Sequence, residues 1–280
     1  MNIEEIVKGA LKYPLLDWKR ILILGIIIVF TSTADIAMSL GTTNIDVISL
    51  LMGIGFIIGF LVNGYMFRII KSSLDGDVKL PGFKDLIGIG ADGVKVFIAF
   101  IVYLVFPVLI ILFFVLLLFG FDSSLVSGFM SNFGFNLLGF DTDFIPSIVW
   151  PGIANLSLIS QLFGPGGIFA PIYIILIIPV FLVAIANMAY YEGELRSAFR
   201  FKEIIDEITS IGWLNLLKWY VATGLLFLSL HVLIIVINYI FYLIRIDRVG
   251  GILLSLTLIP YAYMYIARSV ALFYMPDKED

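Results

Sequence analysis

The chain has 280 residues, 61% of them hydrophobic and 14% charged, with a mean hydropathy of +1.09 and a formal net charge of −4. An ordinary globular chain carries about 25% charged residues, and much of any folded surface must stay against water. So apolar a composition excludes soluble, disordered and collagen-like classes and leaves an all-α integral membrane protein. No block of Lys and Arg is present to serve a nucleic acid. The chain has no cysteine and a single histidine, His231, which excludes disulfides, thiolate zinc sites, iron–sulfur clusters, cysteine nucleophiles and His-rich metal centres. No cofactor is expected. The first apolar run is too long for a cleaved signal peptide and lacks a small-x-small exit.

A spanning helix needs about 20 mainly apolar residues. In chain order, six stretches reach that length: 21–40, 47–70, 96–119, 168–190, 220–243 and 252–273. Each is continuously apolar rather than alternating, which rules out barrel strands. Pro107, Pro171, Pro179 and Pro260 fall inside them, as membrane helices allow where neighbours re-satisfy the freed carbonyls. Basic residues precede the first span (Lys8, Lys12, Lys19, Arg20) and the third (Arg68, Lys71, Lys79, Lys84, Lys95). They also precede the fifth (Arg196, Arg200, Lys202, Lys218). Residues 41–46 and 120–167 hold none, and only Arg245 and Arg248 lie in the last outer turn. The positive-inside rule therefore predicts a multi-pass cell-membrane protein with both termini cytoplasmic. The long outer stretch 120–167 carries Asp122, Asp141, Asp143 and the glycosylation tripeptide Asn155-Leu156-Ser157. Its apolar pieces 144–150 and 153–162 are too short to span and read as interfacial or re-entrant pieces, most plainly as an outer cap over the bundle.

The connections on the basic side share a pattern. Ile3-Glu4-Glu5-Ile6-Val7, Phe83-Lys84-Asp85-Leu86-Ile87 and Phe201-Lys202-Glu203-Ile204-Ile205 each run apolar, charged, acidic, apolar, apolar, and each precedes a span. Helical spacing of the apolar positions predicts three interfacial amphipathic helices on the cytoplasmic side. The unit, an interfacial helix and two spans, would recur over 1–74, 75–196 and 197–280 as a parallel threefold repeat within one membrane domain. Gly88, Gly90 and Gly93 lower helix propensity in the second copy.

Charged groups in hydrocarbon are costly and are candidates for function. Asp35 and His231 stand about 21 Å and about 17 Å from the cytoplasmic ends of their spans at helical rise, depths that would let them pair. The plainer alternative has Asp35 wet near the outer interface, or bonded to Ser32, Thr33 or Ser39. Arg68 and Arg268, with Tyr65 and Tyr265 beside them, are expected to anchor the inner interface, as are Trp18, Trp213 and Trp219. Asn63, Asn187 and Asn238 are candidates for bonds between helices, and Gly55 and Gly59 for close helix packing. No phosphate loop or nucleophile elbow occurs, and Asp75-Gly76-Asp77 reads as a hydrophilic turn. No catalytic set or metal site is expected, so the chain is not expected to be an enzyme.

The stretch Gly64-Tyr65-Met66-Phe67-Arg68 through Asp75-Gly76-Asp77 is followed by Leu80-Pro81-Gly82-Phe83 and Asp92-Gly93-Val94-Lys95. This resembles an uncharacterised family of multi-pass archaeal membrane proteins, domain-of-unknown-function family 4013. The resemblance implies a polytopic archaeal cell-membrane protein with no assigned activity, and it carries no catalytic residues over. Two functions remain open: a non-enzymatic scaffold or partner-binding subunit, with the lipid bilayer and a protein partner or second copy as its contacts, and a small-solute or proton-coupled transporter.

Overall fold

The computed structural model describes residues 2–119, 169–245 and 247–275. Asp122, Asp141, Asp143, the Asn155 tripeptide and the two short outer pieces lie outside them. The described residues form helices joined by turns, with no strand among them. Five helices are long and apolar enough to cross a membrane.

Helix α1 (Ile3–Lys12) starts on Asn2, whose side chain accepts from the Glu4 N–H at 3.1 Å. It buries Ile6 and Ala10 and leaves Glu4, Glu5 and Lys8 exposed. A one-turn 3₁₀ segment (Pro14–Leu16) leads to α2 (Trp18–Thr31), capped by Asp17. The span expected at 21–40 is not one continuous helix. It breaks at Ser32 and resumes as α3 (Thr33–Ser39). Three hydroxyl residues in a row cause the break. Thr31 and Ser32 donate back to the Ile28 carbonyl and Thr33 to that of Phe30, so side chains compete with the backbone for the same acceptors.

Helix α4 (Ile45–Leu74) is capped by Asn44 and stops where Gly76 adopts φ +82°. There the N–H groups of Gly76 and Asp77 bond back to Ser73 and Ser72, a left-handed stop that glycine makes cheaply. Helix α5 (Leu86–Phe100) is capped by Asp85 and runs through a π-helical turn (Ile101–Val105) into α6 (Phe106–Phe119). The second interfacial helix is therefore not a separate element: 86 onward is the start of the long helix itself. Its glycines are used for contact. A Cβ on Gly93 would lie 1.8 Å from the Phe60 carbonyl oxygen, and one on Gly64 1.7 Å from that of Ile89, so α4 and α5 touch backbone to backbone. The π turn has a cause as well. Pro107 has no N–H to give the Tyr103 carbonyl, and the Tyr173 hydroxyl takes that acceptor at 2.6 Å.

Helix α7 (Phe169–Tyr190) ends in a turn with Gly193 at φ +82°, followed by a 3₁₀ segment (Leu195–Phe199). Helix α8 (Phe201–Ile211) buries Ile204, Ile208 and Ile211. Gly212 at φ +98° turns the chain into α9 (Trp213–Leu243), and α10 (Asp247–Tyr274) follows. Pro260 frees the Leu256 carbonyl of α10, and that oxygen faces Gly25 of α2, where a Cβ would sit 2.5 Å away.

Helices α4, α7 and α10 touch one another at the centre. Outside them, α2 packs on α4 and α10, α5 on α4 and α7, and α9 on α10. Small residues on α7 (Ala184, Ala186) and α10 (Ala267, Ala271) are fully buried and permit the close approach. Helix α1 lies against α10 and α9, and α8 against α7 and α9. The outer surfaces of α6 and α9 expose large apolar side chains such as Phe113, Phe114, Val232 and Tyr239.

Candidate polar site at the basic end of the bundle

The C-terminal ends of α4, α7 and α10 meet α1, α8 and the connecting segments at one end of the bundle, and the ion pairs crowd there. Arg68, near the end of α4, reaches two carboxylates: its Nε donates to Asp92 at 3.1 Å and its Nη2 to Asp85 at 2.9 Å. Asp92 also meets Lys95 at 3.3 Å. Asp85 has a second task, accepting the Gly88 N–H at 3.0 Å to cap α5. The Arg68 guanidinium and then the Gly88 N–H hold the Asp85 carboxyl below its ordinary value. Lys71 pairs with Glu192, and Arg200 with Glu194 and Glu203. The Arg200 guanidinium also lies over the Tyr191 ring at 4.5 Å, and the Glu203 carboxylate beside its hydroxyl raises the Tyr191 phenol.

A second set of bonds ties the connections to the long helices. The Tyr65 hydroxyl donates to the Pro81 carbonyl (3.1 Å), Tyr103 to Ala198 (2.7 Å) and Tyr261 to Leu11 (2.7 Å). Arg268 donates to the Asp77 carbonyl at 3.1 Å. Asn187 gives its amide N–H to the Ser197 carbonyl at 3.0 Å and accepts the Tyr274 hydroxyl at 2.7 Å, linking α7, α10 and the 3₁₀ segment. Trp219 donates to Ser269 at 2.8 Å and stacks on Phe273. Apart from Trp219, each of these donors satisfies a carbonyl oxygen, backbone or side-chain, in a poorly hydrated place. Three buried hydroxyls, those of Ser73, Thr223 and Tyr265, make no hydrogen bond with the described residues.

The expected interface anchors divide. Trp18 and Trp213 are exposed, at 64% and 52%. Tyr65, Tyr265 and Trp219 are fully buried; they are interior side chains rather than members of an aromatic belt, because the helices that carry them are the packed ones. Phe83 stacks on Tyr65 at 4.1 Å. Arg68 is engaged by Asp85 and Asp92, while Arg268 has a carbonyl and, at 4.9 Å, the Tyr13 ring. Asp35 is half-buried on α3, which packs on α4, and His231 is exposed on α9, which packs on α10. The structure records no hydrogen bond or ion pair between the two. Gly55 does meet the Thr31 carbonyl, but Gly59 faces open space.

Sequence reading missed Tyr13, Asp85 and Asp92 as site residues. The one signal for Asp85 and Asp92 is that they are carboxylates downstream of Arg68, which only the register of α5 on α4 makes visible, and Tyr13 has no such signal. A shallow open depression along α8 is lined by Arg200, Phe201, Lys202, Glu203, Asp206 and Glu207. Among the described residues no three metal-ligating side chains converge.

Comparison with curated proteins finds no match, and comparison with solved structures finds none. The family model described as "Protein of unknown function (DUF4013)" matches residues 47–239, from the first turn of α4 into the C-terminal half of α9 and so across the whole Arg68–Asp92 junction. The chain belongs to the DUF4013 family of proteins of unknown function.

Proposed function

We propose that the chain is a polytopic cell-membrane protein, with both termini cytoplasmic, that works as a non-enzymatic scaffold or partner-binding subunit. One observation carries this reading. The buried polar side chains among the described residues (Asn63, Ser73, Asn187, Ser197, Thr223 and Ser269) are all uncharged, while the ion pairs gather at one end. A proton path through hydrocarbon needs ionisable groups inside, and a packed centre supports holding a shape rather than moving a solute.

The finer layout belongs to the same proposal. Trp18–Ser39, taken through its break at Ser32, is about 33 Å long at helical rise and serves as a first of six spans. Each of the units 1–74, 75–196 and 197–280 contributes one central helix (α4, α7, α10) and one outer one, which supports the parallel repeat. Helices α1 and α8 rest at the cytoplasmic interface with their charged faces in water. The archaeal setting implied by the family resemblance is part of the same reading. A transporter is the second reading, favoured by the discontinuity at Ser32 close to Asp35, since broken helices line transport sites.

Cross-linking in native membranes followed by purification tests the choice. The scaffold reading predicts one stoichiometric partner or a second copy. A monomer whose melting temperature shifts with one defined solute, and whose vesicles take that solute up, would establish the transporter instead.

A further inference from the structure

Two arginines at the basic end have more donors than the described residues supply acceptors. Arg268 is half-buried near the end of α10, over the Tyr13 ring. Only one of its five N–H groups has an acceptor among the described residues, the Asp77 carbonyl. No carboxylate of the described residues pairs with it, although Arg20 has one such partner and Arg68 and Arg200 have two each. Arg20, at the start of α2, spends its Nε on Asp17 at 3.2 Å and keeps both terminal nitrogens without an acceptor among the described residues. It lies in the first turn of α2, the helix that packs along α10. The ground between is polar and built. Tyr13 donates weakly to the Lys79 carbonyl at 3.4 Å. The Ser73 Oγ, near the end of α4, is buried and meets no hydrogen-bond partner at bonding geometry among the described residues.

A half-buried guanidinium with no counter-ion among the described residues is costly, and its planar fork matches a tetrahedral oxyanion two oxygens at a time. The α4 C-terminus nearby carries partial negative charge, which explains one bond of Arg268 but leaves its other edge open. We propose that Arg268 and Arg20, on either flank of the α1–α2 junction, bind a phosphate group, supplied by the headgroup of an anionic phospholipid or by free phosphate. The lipid source rests on the membrane reading above. The free-phosphate source does not, so the two fail separately.

The test uses the purified full chain in an uncharged detergent. Thermal unfolding is followed with inorganic phosphate against chloride at equal ionic strength, and with short-chain phosphatidylglycerol against phosphatidylcholine. A rise in melting temperature with phosphatidylglycerol alone assigns the lipid headgroup, and a rise with both assigns the phosphate group itself. Arg268→Gln should weaken the response about tenfold or more, the loss of a charge-assisted pair of hydrogen bonds. Arg20→Gln should weaken it less, and Lys218→Gln, an exposed cation on α9, not at all. If Arg268→Gln does not fold, native mass spectrometry of the wild type and Arg20→Gln decides: one retained phosphatidylglycerol or phosphate in the first, lost in the second. No rise over either control, or the same rise in all three variants, overturns the proposal.

Discussion

Arg68 illustrates what a single side chain does here. Its two carboxylate partners come from one later segment, and one of them also caps the helix of that segment. Losing Asp92, which is mostly buried and shared with Lys95, leaves two cations short of a partner. Asp92→Asn is expected to cost about 1–2 kcal/mol in denaturant unfolding of the purified protein. Asp85 gives the junction a pH dependence. Its carboxyl is held below the ordinary 3.8, so its contribution is fully present above that value. It is lost as the pH falls through the lower folded value, where protonation breaks the Arg68 contact. Proteolysis of the 75–85 connection should accelerate only in that acid range, and Asp85→Asn should show the fast rate already at neutral pH. An unchanged rate in Asp85→Asn would dissociate the loop's order from the ion pair.

Irregular helices are repaired by neighbours chosen for the purpose. Pro107 removes a donor and Tyr173 replaces it. Tyr173→Phe is therefore expected to cost about 1–2 kcal/mol. The cost should shrink in a Pro107→Ala background, where the helix supplies its own N–H; a double-mutant cycle measures the coupling. Glycine positions separate in the same way. Gly93→Ala pushes a methyl into the Phe60 carbonyl and should destabilise by about 3 kcal/mol, whereas Gly59→Ala meets nothing within 4 Å and should change stability by less than about 1 kcal/mol. This contrast also marks what was legible beforehand. Apolar length alone located α4, α7, α9 and α10, because hydropathy counts the property that makes a long apolar helix. It could not locate the break at Ser32, which depends on three hydroxyls finding backbone acceptors. Nor could it rank Gly93 over Gly59, because which glycine faces a neighbour depends on helix register. The buried places of Tyr65, Tyr265 and Trp219 escaped for a related reason: an aromatic near a basic residue has the same pattern whether it faces lipid or a second helix.

At the scale of the molecule, three central helices pack with uncharged polar links such as Asn187–Tyr274, and the ion pairs among the described residues are collected at the end that the short helices α1 and α8 also share. On the proposed scaffold reading, a body of this kind presents fixed surfaces and keeps its middle dry. The most direct check uses the absence of cysteine. Asn63 lies in the interior of α4 at 5% exposure, and Lys202 is exposed on α8. Single variants Asn63→Cys and Lys202→Cys, each confirmed to fold, are treated with a membrane-impermeant thiol reagent in intact cells and in inverted vesicles. The account predicts that position 202 reacts only in inverted vesicles and that position 63 reacts in neither. Reaction at position 63 at a rate near that of position 202 would contradict it, since that requires a water-filled path into the centre of the bundle.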